Sequence, residues 1–163
     1  MCTDGESLTV AEALRMMDTT LDFLNGPGLA SVEAAGLGGV LEALAGLSAR
    51  FSAARAAALA RFDATRGYAA EGYGSTASWL ADKSRTTRQA AGAEVRQMRQ
   101  LAAHPVIAAA VAAGDLSGSW AAQITDWTNR LPADWRDGID KLLVDTASAG
   151  ASLEDLAVVA QAA

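Results

Sequence analysis

Cysteine and histidine are almost absent from this chain of 163 residues: Cys2 and His104 are the only ones. A single cysteine excludes an internal disulfide and any cluster of thiolates around a metal. A single histidine excludes most zinc sites, and any Ser-His-Asp or Cys-His machinery that does not pass through His104. Aromatic residues make up only 6% and β-branched residues never alternate with polar ones over a strand's length. Long apolar runs are also missing. The stretches that come nearest are broken by Glu33 and Glu42 or are short, as in 106–113, so none is long enough to cross a bilayer. The opening residues MCTDGESLTV lack a basic segment followed by an apolar one and do not read as a signal peptide. A soluble, cytoplasmic protein is the expectation, with no cofactor and no metal.

What is abundant is alanine, within a hydrophobic content of 51%. Alanine favours helix and fills little volume, so close-packed helices are expected and the fold class is all-α. Thr9 and Glu12 form a capping-box pattern ahead of Val10, Leu14, Met17, Leu21 and Leu24, and Asn25-Gly26-Pro27-Gly28 ends that helix. After a break near Gly36, Gly38 and Gly39, a long helix is expected over 40–65, with Leu41, Leu44, Leu47, Phe51, Ala54, Ala58 and Phe62 on its apolar stripe. Residues 67–74 read as a glycine-rich loop. Ser75 then caps a short helix over 76–82, a turn follows at 83–86, and a longer helix spans about 87–103. Pro105 opens the next helix and Gly114 closes it; Ser117, Pro132 and Ser152 open three more, the one from Pro132 ending at Gly150. The expected architecture is a multi-helix bundle with a long central helix and two helix-turn-helix-like units. Residues 1–37 form an N-terminal helical extension, and 38–163 the main unit.

Charge is distributed unevenly. Residues 50–99 carry nine basic and four acidic side chains, a local +5, whereas the rest carries four basic and fifteen acidic, −11. On a helical wheel at about 100° per residue, Arg88, Gly92, Arg96 and Arg99 fall on one face, away from Ala91, Met98, Leu101 and Ala102. Lys83 and Arg85 precede them in the turn, and Gln89 shares the helix's first turn with Arg88. Side chains of this kind in this order suit phosphate contact, with Arg88 and Gln89 of the type that reaches base edges. The competing expectation is a solvated face whose arginines pair with acidic neighbours. Tyr68 and Tyr73 are candidates for stacking on bases, or for pinning their loop to the core. Glu94, on the apolar side of the wheel, calls for a structural partner, Arg55 or Arg61. Trp120 and Trp127 share a face that belongs to the core. His104 reads as a capping or surface residue. The second unit's Gln123, Asp126, Asn129 and Arg130 form a nearly neutral surface, suited to a structural or protein-binding role.

The run RFDATRGYAAEGYGSTASWLADKSRTTRQAAGAEVRQMRQL, followed by HPVIAAAVAAGDLSGSWAAQI, resembles an actinobacterial helical domain of unknown function. That domain stands at the amino terminus of the thirteen-E-twelve repeat proteins, many of which end in an HNH endonuclease domain. The matching elements are Arg61-Phe62-Asp63, the Gly67/Gly72 loop, Ser75-x-x-x-Trp79-Leu80 and Gly114-x-Leu116-Ser117, across about residues 38–163. Gly92 within the basic helix and Ser119-Trp120 after the second turn depart from many relatives. The resemblance implies a non-catalytic domain that accompanies a metal-dependent nuclease in DNA processing. An HNH site needs several histidines and this chain has one. A nuclease half is therefore expected beyond Ala163, the chain being the front part of something longer. DNA is the expected partner; a homodimer or protein-interaction module, using the helices of 29–47 or the acidic stretch 126–145, is the alternative.

Overall fold

Helix caps written into the sequence determine where each element starts and stops. The computed structural model describes residues 8–162 and is all-α, with no strand among the described residues. The chain divides into two compact units, Met1–Glu42 and Ala43–Ala163.

In the first unit, α1 (Val10–Phe23) begins at Thr9, whose hydroxyl accepts from the Glu12 amide while the Glu12 carboxylate accepts from Thr9, a complete capping box. It gives way to a wide turn over Leu24–Gly28 in which Gly26 leaves helical geometry and Gly28 is buried. A side chain at position 28 would collide with the Phe23 ring and carbonyl. Among the described residues of this unit nothing covers the apolar stripe of α1, formed by Val10, Leu14, Met17 and Leu21.

The long helix α2 runs Leu37–Ala64, three residues earlier at its start than the glycine break suggested, after a single tight turn at Ala34–Gly36. Gly38 and Gly39 are accommodated in its first turn instead of breaking it. In the second unit α2 serves two cores. Ala49 joins Ile107, Val111, Ile124, Leu143 and Leu156, drawn from α6 (Pro105–Ala113), α7 (Gly118–Thr128), α8 (Ala133–Ser148) and α9 (Leu153–Ala162). Leu59 joins Leu80, Ala91, Val95 and Met98 from α4 (Thr76–Lys83) and α5 (Arg88–Ala103). Ala56 touches both, so one alanine surface couples them. Small residues also let the chain pack closely on α2, where a Cβ on Gly114 would lie 3.1 Å from the Gly46 carbonyl. Trp120 and Trp127 pack against the first core as expected, but Trp135 is 67% exposed.

Residues 67–74 are not wholly a loop: Gly67–Ala70 form a short helix, α3. A Cβ at Gly67 would run into the Phe62 ring, which is packed on Trp79 with centroids 4.4 Å apart. The absent side chain thus lets the chain fold back over that aromatic pair. Among the described residues no helix is long and apolar enough to cross a membrane.

Candidate nucleic-acid interface

The basic surface is built on the α4–turn–α5 unit. Ser75 accepts from the Ser78 amide to start α4, and Thr87 accepts from the Ala90 amide to start α5. Between them the chain closes α4 with a paired arrangement in which the Thr86 amide donates to the Ala81 carbonyl at 3.1 Å and the Arg85 amide to Asp82 at 3.2 Å. This is a Schellman cap, which places its C′ residue in the left-handed region. Arg85 holds that position at φ 50°. The same bonding pattern closes α6 and α8, where glycine fills the position, Gly114 at φ 90° and Gly150 at φ 93°. An arginine there bears a backbone penalty of roughly 1 kcal/mol that glycine avoids.

Of the six residues expected to contact nucleic acid, the structure leaves four uncommitted. Arg85, Arg88, Gln89 and Arg96 are exposed, and the three guanidiniums make no ion pair among the described residues. Arg99 meets Asp63 at 3.2 Å yet keeps 64% of its side chain in solvent. Lys83 is committed: its ammonium lies 2.8 Å from Glu71 and 5.9 Å from the Tyr73 ring centre. The bond between them holds the Glu71 carboxyl below, and the Lys83 ammonium above, the usual range. Tyr73 is occupied too, its hydroxyl bonded to Asp82, which raises that phenol. Glu94 has its structural partner in Arg55, as the wheel required, but on a half-exposed surface and not in the core.

A cleft of about 270 Å³ opens beside this face, lined by Arg96, Arg99, Gly92, Tyr68, Thr76 and Asp63 among others. Asp63, near the end of α2, accepts from the Thr76 hydroxyl and from Arg99, and both bonds, Thr76 first, hold its carboxyl below the ordinary 3.8. It positions Arg99 at the cleft rim.

His104 overturns its reading as a capping or surface residue. It stands at the cap position between α5 and α6, but its side chain makes no capping bond and is fully buried. Its Nδ1 donates to Asp140 Oδ2 at 2.7 Å, while Thr128 Oγ1 donates to Asp140 Oδ1, also at 2.7 Å. Pairing explains the burial of a carboxylate inside the bundle. The arrangement is not that of a nucleophilic triad. The acid and the hydroxyl both sit on the Nδ1 side, and Nε2 is buried with no partner among the described residues. Asp140 was invisible in the sequence because its partners lie 12 and 36 residues away. No group of three or more His, Cys, Asp or Glu able to hold a metal occurs among the described residues.

No family model, curated protein or solved structure matches the chain.

Proposed function

We propose that the second unit is a non-catalytic DNA-binding module whose α4–turn–α5 unit grips the phosphate backbone through Arg85, Arg88, Arg96 and Arg99. The observation that carries this reading is the set of exposed guanidiniums at Arg85, Arg88 and Arg96, which make no ion pair among the described residues. A merely solvated face would be expected to neutralise them, as Glu94 neutralises Arg55 and Glu71 neutralises Lys83. Arg88 and Gln89, in the first turn of α5, are placed where a recognition helix presents its base-reading residues. Lys83 contributes to the local potential and not to a direct contact. The resemblance to domains that accompany HNH nucleases supports the same reading, in which catalysis belongs to a separate domain. A fluorescence anisotropy titration of duplex DNA tests it. Arg88/Arg96/Arg99→Ala is expected to remove measurable binding at near-physiological salt, and unchanged affinity would refute the assigned surface.

A protein-interaction reading rests on a different observation. On α2, Leu41, Leu47 and Phe51 are 67%, 53% and 47% exposed, more apolar surface than a lone helix ordinarily leaves in water. Light scattering distinguishes the two readings: a dimer dispersed by Leu41→Glu, combined with no affinity for DNA, favours this one.

A further inference from the structure

The two tyrosines of the 67–74 segment are used differently. Tyr73 is tied down through Asp82 and Lys83. Tyr68 is half-buried, its hydroxyl makes no hydrogen bond among the described residues, and it lines the cleft beside α5. Arg96 and Arg99 of α5 line the same cleft. Arg96 lies along its own helix over Gly92, where an added Cβ would meet only its Nη1, at 3.7 Å. Gly92, with no side chain, is itself part of the cleft lining. Asp63 is the one carboxylate among the cleft's lining residues, and it is bonded to Arg99 and Thr76, so Arg96 supplies the uncompensated positive charge.

We propose that this cleft receives one unpaired nucleotide, its base stacked on Tyr68 and its phosphate held by Arg96 and Arg99, so that the module prefers single-stranded to duplex DNA. The inference rests on the reading that α5 binds nucleic acid, and it adds the structural class of the ligand. Volume supports it. At about 270 Å³ the cleft is just below the roughly 300–1,000 Å³ of small-molecule sites, space for one nucleotide and not for a duplex edge. Chemistry supports it as well. A planar guanidinium fork matches phosphate oxygens, and an aromatic face accepts any base without sequence preference. Two stacked base pairs offer no free base face, so only an unpaired nucleotide gains from Tyr68.

The test compares an oligothymidine strand with a duplex of equal length, by anisotropy, for the parent chain, Tyr68→Ala and Tyr68→Phe, each variant shown to be folded by its thermal melt. Tyr68→Ala should weaken single-strand binding about tenfold and leave duplex binding unchanged. Tyr68→Phe, which keeps the ring, should bind the single strand as the parent does. Tighter binding of the duplex by the parent, or a single-strand affinity indifferent to Tyr68→Ala, overturns the inference while the DNA-binding reading stands. Failure of both the single strand and the duplex to bind the parent overturns both readings.

Discussion

Arg85 shows at a single residue how function and stability pull apart. Four helices in the second unit, α3, α4, α6 and α8, end in the same Schellman geometry, and three of them use glycine (Gly72, Gly114 and Gly150) where α4 uses arginine. Arg85→Gly should raise stability by about 0.5–1 kcal/mol, as relief of left-handed strain outweighs glycine's extra chain entropy. The same substitution should weaken DNA binding. Paired denaturation and anisotropy measurements check this, and a variant that loses stability would show that the side chain is structural. His104 presents the opposite case, a polar residue whose place is explained by stability alone. His104→Leu leaves the buried Asp140 carboxyl with only Thr128 for company, and should cost about 3–5 kcal/mol in urea denaturation. Replacing His104, Asp140 and Thr128 together with apolar residues should cost less than that single change. A loss from His104→Leu below about 1 kcal/mol would mean that water reaches the site.

Between elements, Asp63 is the group that ties the end of α2 to α4 through Thr76 and to α5 through Arg99. Its carboxyl is depressed in the folded chain, so the folded state binds this proton less readily than the unfolded one. The stabilisation is therefore fully present above the ordinary 3.8 and disappears as pH falls through the lower folded value. Asp63→Asn should be less stable than the parent at neutral pH, and the two unfolding midpoints should converge in strong acid. A gap that persists there would assign the effect to packing. The elements themselves were largely legible because their boundaries are local: Thr9, Ser75, Thr87 and Ser117 each bond an amide three residues on. Positioning the arginines of α5 on one face required only helical periodicity. What the sequence concealed depends on distant partners. Nothing local says that Asp63 reaches Arg99 across 36 residues, that Glu71 claims Lys83, or that His104 turns inward to Asp140. The short helix at Gly67–Ala70 escaped because its glycine is required by the Phe62–Trp79 pair, a tertiary contact, and not by a turn.

For the whole molecule, the net charge of −6 sets the terms on which DNA can be approached. Most of the chain carries negative charge, so attraction must be confined to the basic face and should be steeply sensitive to ionic strength. The most direct measurement is the slope of log affinity for duplex DNA against log salt concentration. Four guanidinium contacts, from Arg85, Arg88, Arg96 and Arg99, give an expected slope of about −3.6. Arg88/Arg96/Arg99→Ala should reduce it to about −1, with binding detectable only at low salt. A slope near zero in the parent, or the same slope in parent and variant, would contradict the account.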